Sequence, residues 1–290
     1  MNYSVAKAAG YVLVHTPDMI LHNGTTQTTE KIINPESEYL KQVPEHIRSY
    51  EDVVNYAPNQ TYIGNMTPEE LRGIDLPWFD KKLDNADRYG RFGEIMPQVE
   101  FLGLLKMSDA FDLVLLEPNI VGDIREKLSA HKCFTDEDVA RIKDGVDISE
   151  IEKHINENHA EALYNEGKLV GCVKRAHDID PNLNAHIMFE NLVVKASGVL
   201  AFKHLIMSND IDPASIEYII ECSEEACGDM NQRGGGNFAK SIAELGGAVN
   251  ATGSDTRGFC AAPTHALIQA AALVKAGVYE NVVIVAGGNC

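Results

Sequence analysis

Residues 238–288 read FAKSIAELGGAVNATGSDTRGFCAAPTHALIQAAALVKAGVYENVVIVAGG, and their pattern decides the fold class. FAKSIAELGG is a helix closed by Gly246-Gly247. AVNATGSDTRGF is extended and leads into a second helix, PTHALIQAAALVKAG, with Lys275 and Gly277 at its end. NVVIVAGGN is uncharged and β-branched, as a strand buried on both faces should be. Upstream, IMFENLVVKASGVLAFKHLIMS places Leu192, Ala196, Val199, Leu200, Phe202, Leu205 and Ile206 at helical spacing, and Asn209-Asp210 and Asp212-Pro213 stop it. SIEYIIECS is a strand. Helix and strand therefore alternate through the last hundred residues, which means an α/β fold with a mostly parallel sheet under covering helices.

The rest of the chain is less regular. Residues 5–14, VAKAAGYVLV, predict a first strand ending at the Thr16-Pro17-Asp18 turn. From about Asn34 to His177, Pro, Asn, Asp and Glu are frequent and periodicity is poor. A helix-start signal stands at Thr135-Asp136-Glu137-Asp138. ISEIEKHINENHAEALY, 148–164, predicts a helix with Ile148, Ile151, Ile155 and Ala162 on one side. YNEGKLVGCVKR predicts a hairpin turning at Glu166-Gly167. No internal repeat or low-complexity tract interrupts the 290 residues.

Composition narrows the function classes. Hydrophobic residues make up 44% and charged residues 23%, ordinary values for a soluble domain with a sizeable core. The formal net charge of −18 argues against nucleic acid and against an anionic membrane surface, since both need an excess of Lys and Arg. No run of about 18 apolar residues is present, and the N-terminal apolar stretch, broken by Lys7, is not read as a signal peptide. Six cysteines stand at 133, 172, 222, 227, 260 and 290 without a CxxC pair or a zinc spacing, so neither metal nor cofactor is expected. Thiols fit a reducing cytoplasm.

Cys260 is the candidate nucleophile. It follows an extended segment and precedes a helix of small residues, where the helix dipole and open N–H groups favour a thiolate and can hold an oxyanion. Gly258 and Ala261 leave room for a substrate. The helix after it, rich in Ala and nearly uncharged, is expected at the domain centre. From Ala251 onward two acids, Asp255 and Glu280, balance two bases, Arg257 and Lys275. The competing reading of Cys260 is a small buried hydrophobe. His265, five positions further on, is read as a packing residue. GDMNQRGGGNFAKS has three glycines before a helix but lacks a P-loop Lys-Ser/Thr and a dinucleotide fingerprint. Cys222 and Cys227 are read as structural thiols.

The quoted 196–223 and 238–288 stretches resemble the thiolase-like superfamily, nearest its ketoacyl synthase III branch. The opening AAGYVLVHTPDMILHNGTTQTTE, SEYLKQVPEHIRSYEDVVNYAPNQTYIGNMTPEEL and GKLVGCVKRAHDIDPNL narrow this to a resemblance with the β subunits of component C of glycine (sarcosine, betaine) reductases. The resemblance implies the N-terminal half of a thiolase-like fold, divided into a first-strand region (1–33), an inserted helical or mixed subdomain (34–185) and a core carrying the nucleophile position (186–290). It implies an acyl-transfer subunit in which Cys260 forms or passes an acetyl thioester that phosphate releases as acetyl phosphate. The acyl group would derive from a carboxymethylated selenocysteine on a partner selenoprotein. The α subunit of component C is a further partner, and a homodimer would pair through about Ala248–Asp255. The insertion would be a docking surface, and Arg233, Gly234, Gly235, Gly236, Asn237 and Phe238 would form a loop lining the neighbour's acyl pocket. Thiolase-fold enzymes also carry a second half that supplies a catalytic His and an Asn or second His. The sequence stops at Cys290 before such a half, so little condensing activity is expected of it alone. Two alternatives stand beside this reading: a ketoacyl synthase or thiolase using coenzyme A esters, disfavoured by the insertion and the shortage of Lys and Arg, and a non-catalytic scaffold subunit.

Overall fold

Eight short strands fall into three sheets in the computed structural model, which describes residues 3–223 and 237–288. β1 (Leu13–His15) pairs in parallel with β2 (Ile95–Pro97). β3 (Val114–Leu116), β4 (Glu161–Asn165) and β5 (Lys168–Val173) form an antiparallel sheet in the order β3-β5-β4. β6 (Tyr218–Glu221), β7 (Thr252–Asp255) and β8 (Val282–Val285) form a fully parallel sheet in the order β7-β6-β8. The architecture is mixed α/β, and the last sheet is the one that the helix-strand alternation predicts.

The Ala185–Ser208 helix joins the two main cores. It is apolar nearly all round, and such a helix must be covered on every side. Met188, Phe189, Leu192 and Leu200 pack into a core with the Gln98–Ser108 and Pro118–Ser129 helices and the antiparallel sheet. Val194, Val199 and Phe202 face the parallel sheet and the Phe238–Leu245 helix. Its length and composition would suit a membrane span, but most of it is buried between these cores, as in the core helix of a globular domain.

Four sequence expectations meet the structure with different outcomes. The first strand is reduced to Leu13–His15, and β2 is its partner. Residues 4–10, where only Val5 is β-branched, lie along the core without a ladder, held by Ser4 Oγ donating to the Ala271 carbonyl at 2.8 Å and Lys7 Nζ to Asn281 Oδ1 at 3.3 Å. The helix from Ile148 ends at Asn158, because His159 adopts a left-handed conformation (φ 53°) and turns the chain into β4. Ile148, Ile151 and Ile155 share a buried face as predicted, whereas Ala162 belongs to the strand. The hairpin turns at Glu166-Gly167, both at positive φ (52° and 72°), which suits a tight two-residue turn. Its two amides donate to the buried Asp18 carboxylate, each at 2.9 Å, and Gln98 Nε2 adds a third donor at 2.8 Å. The Thr135-x-x-Asp138 signal is a capping box, opening the Asp136–Ala140 helix.

Candidate active site

The parallel sheet ends together at Glu221, Asp255 and Val285, which are in register. The segments that leave this carboxyl edge carry the candidate chemistry, as is usual for α/β sheets. Glu221 is fully buried, and Arg257 Nη1 pairs with its Oε2 at 2.5 Å while the Ser223 amide donates to Oε1 at 2.7 Å. The Thr256 amide donates to the Glu221 carbonyl at 2.7 Å, and the Thr256 hydroxyl reaches Gln269 Oε1 at 3.0 Å. Asp255 accepts the Phe238 and Ala239 amides at 3.1 and 3.0 Å, placing a carboxylate on the first turn of the Phe238–Leu245 helix. These contacts fix the segment 255–257 that delivers Cys260.

Cys260 sits in a single 3-10 turn, Phe259–Ala261, directly ahead of the Ala262–Lys275 helix, and it is exposed. This contrasts with the other described thiols. Burial pushes Cys133 and Cys172 up to about 12 and Cys222 up to about 11, with the Glu94 or Glu221 charge adding to the effect at Cys133 and Cys222. Cys222 thus fits the structural role expected of it, its thiol directed at the Val285 carbonyl at 3.5 Å. Phe259 has φ 50°, a left-handed conformation costly for a bulky side chain, and the residue is 76% exposed.

The helix start differs from the sequence expectation in two respects. The Ala261 and Ala262 amides already donate to the Gly258 and Phe259 carbonyls, and Pro263 has no N–H, so the row of open donors is much reduced. The helix is also not central. Only Ala262, Ala266 and Ala270 are buried on the sheet, because a single stripe of alanines suffices to pack there, while Leu267 and Ile268 are 61% and 63% exposed. His265 is exposed and lies beside Gly258, where an added Cβ would come within 3.1 Å of its Cδ2.

Behind the edge the floor is tight. A Cβ at Gly287 would stand 2.2 Å from the Val194 carbonyl oxygen and 2.4 Å from Ser197 Oγ. The Gly287 amide instead donates to Ser223 Oγ at 2.8 Å, and the Gly288 amide to Ser197 Oγ at 3.0 Å. Of the loop residues singled out beside Cys260, Arg233, Gly234, Gly235 and Gly236 lie outside the described residues, as does Cys227. Asn237 caps the Phe238–Leu245 helix, accepting the Lys240 amide at 2.7 Å and donating to the Gly253 carbonyl at 2.9 Å. Phe238 is fully buried in the core against Ile219 and Ile242.

A second polar cluster, missed by the sequence reading, lies in the other core. Glu94 Oε1 stands 2.7 Å from His131 Nε2 and 2.8 Å from His204 Nε2, and Glu94 Oε2 meets Arg88 Nη2 at 2.5 Å. Arg88 also forks onto Glu100 at 2.8 and 2.7 Å. Burial pushes the Glu94 carboxyl up, but the donors on it outweigh burial and hold it well below the usual carboxylate range. The ligand atoms of Glu94, His131 and His204 lie within 4.8 Å of one another, close enough for a metal ion. His131 Nδ1, however, accepts the Cys133 amide at 3.2 Å, which leaves its proton on Nε2, aimed at Glu94. That arrangement makes a hydrogen-bonded carboxylate hub. The 110 residues between Glu94 and His204 explain why spacing did not reveal it.

No family model matches the chain. Over 290 residues it is 68% identical to the glycine/sarcosine/betaine reductase complex component C subunit beta of Peptoclostridium acidaminophilum. The matched span is 99% of this chain and 56% of that protein, so the chain spans about half the length of the curated relative it matches. Among solved structures it is similar to the priming β-ketosynthase of the R1128 polyketide biosynthetic pathway, with 29% identity over 29% of this chain and 24% of that one, at a TM-score of 0.26.

Proposed function

We propose that the chain is the acyl-handling part of a component C subunit in a glycine, sarcosine or betaine reductase complex, with Cys260 as the acyl-bearing residue. The observation that carries this reading is the 68% identity along 99% of the chain to such a subunit, a span that includes Cys260. Cys260 is exposed at the carboxyl edge of the parallel sheet, while the described buried thiols are held protonated. In the proposed step Cys260 Sγ carries an acetyl group as a thioester. A phosphate oxygen attacks the thioester carbonyl, the C–S bond breaks, and acetyl phosphate leaves as the thiolate is restored. Phosphate is the co-substrate, and the selenoprotein and the α subunit of component C are the partners. The thiols fit a cytoplasmic setting.

Further parts of the reading rest on the resemblance. Segment 34–185, inserted between the first-strand region 1–33 and the nucleophile-bearing core 186–290, is a docking surface for the partner subunits. Arg233–Gly236 line a neighbour's acyl pocket, without Asn237, which caps its own helix, and without Phe238, which is buried in its own core. A homodimer forms through about Ala248–Asp255, a proposal that the position of β7 at the edge of its sheet favours. A second half covers the Leu267 and Ile268 face and supplies the proton-transfer groups.

One observation favours the scaffold alternative. His265, the histidine that follows Cys260 in the chain, is exposed and lies beside Gly258. The deciding experiment is peptide mapping of the full-length subunit, alone and with its partner subunits, after incubation with labelled acetyl phosphate. Label on the Cys260 peptide, lost in Cys260→Ala, is expected. Equal labelling of wild type and variant, or label found only on a partner subunit, would overturn the thioester route and leave the scaffold.

A further inference from the structure

A cavity of about 230 Å³ opens between the end of the Gln98–Ser108 helix and the second half of the Phe238–Leu245 helix. Ser108, Asp109, Arg141, Lys195, Ser241 and Glu244 supply its polar wall. It lies beside the end of the Phe238–Leu245 helix opposite the one that Asp255 caps, so it is separate from the edge that carries Cys260.

The acids and bases in this wall are not equally engaged. The Asp109 carboxylate accepts the Phe111 and Val114 amides at 3.1 and 2.8 Å and faces Lys106 at 3.8 Å. Glu244 points to solvent and reaches Lys240 at 3.9 Å. Lys195, by contrast, is only 2% exposed, and among the described residues its ammonium makes no hydrogen bond and no ion pair. Arg141 at the rim also makes no ion pair among the described residues. Ser108 Oγ is buried with no partner. Without a protein partner among the described residues are thus the Lys195 ammonium, the exposed Arg141 guanidinium and the buried Ser108 hydroxyl. An ammonium on so buried a residue, at the wall of a cavity, favours a ligand that accepts from it there. Lysine in such a place acts as a point charge with three donors, and a tetrahedral or planar oxyanion accepts from several donors at once.

We propose that this cavity binds a small oxyanion, of the phosphate or the carboxylate class, held by Lys195, Arg141 and Ser108. Burial lowers the Lys195 amine to about 8, opposed by Asp109 and Glu244 and assisted by Arg141, the other charged groups in the cavity wall. The sign follows from proton binding. Between pH 8 and the ordinary lysine range the unfolded chain holds more protons than the folded one, so stability of the ligand-free protein rises with pH there. A bound oxyanion favours the ammonium and flattens that rise.

The test uses the full chain titrated with inorganic phosphate and, separately, with acetate, by calorimetry and by thermal unfolding. Saturable binding of one of them is expected, weakened about tenfold or more in Lys195→Met and several-fold in Arg141→Gln, with the ligand-induced rise in Tm lost in parallel. Tighter phosphate binding assigns the phosphate class, and tighter acetate binding the carboxylate class. No saturable binding of either, or binding that survives both substitutions, would overturn the site. If Lys195→Met does not fold, the exposed Arg141→Gln variant and the wild-type titration still decide. The proposal does not rest on the acyl-transfer reading, because anion binding is read without acyl labelling.

Discussion

The surroundings of Glu94 and of Cys260 are built on opposite principles. At Glu94 a fully buried carboxylate collects two imidazoles and a guanidinium, and Arg88 also forks onto Glu100, so both carboxylates are held by donors. Arg88 Nε and His204 Nδ1 have no partner among the described residues. Around Cys260 the thiol and the Phe259 ring face solvent, the preceding backbone is left-handed, and an apolar helix face stands open. The first arrangement holds segments distant in sequence together, while the second leaves a cysteine exposed above a tightly packed floor. The comparison teaches that polar groups alone do not mark a functional site. The more elaborate cluster is the closed one, and the sparse edge is the exposed one.

The contrast can be broken most directly at the hub. Glu94→Gln is expected to cost roughly 3–5 kcal/mol in urea unfolding, because a Gln amide cannot accept from both imidazoles and Arg88 at once. The sign with pH is fixed by the depressed carboxyl: its contribution is present above the ordinary Glu range and is lost as pH falls below it, so the gap between wild type and variant should close in acid. A loss under about 1 kcal/mol would mean that the cluster is not the closed hub described. Gly287→Ala sharpens the comparison from the other side. The added methyl collides with the Val194 carbonyl, and a cost of about 1–3 kcal/mol is expected. A neutral Gly287→Ala would show that the floor of the edge is as open as its rim. The smallest effect belongs to Cys260→Ser, which should leave stability within about 0.5 kcal/mol of wild type, since the side chain is exposed. A large loss there would return Cys260 to a packing role.

Much of the parallel half was legible because its signals are local. β6, β8 and the Ala185–Ser208 helix announce themselves by β-branched runs and 3.6-residue spacing. The hairpin turn and the Thr135 capping box depend on residues adjacent in the chain. The first strand did not follow, since an isolated apolar run becomes a strand only where a partner ladder is offered, and β2 offers three residues. Cys260 was singled out as the candidate nucleophile from its neighbours, but its exposure was not legible. The Ala-rich composition of the following helix suggested full burial, and the fold buries one stripe of it.

The amino-acid sequence by itself thus determined the α/β class, the helix-strand alternation and the placing of Cys260 between an extended segment and a helix, because each depends on spacing within a few turns. Only the tertiary structure decided which polar groups meet. Glu221 finds Arg257 because two parallel strands end in register, Glu94 finds His204 across 110 residues, and Lys195 finds no partner among the described residues beside a cavity. Burial and pairing are properties of the assembled layers, and a charged side chain changes its meaning with the partner that folding brings to it or withholds.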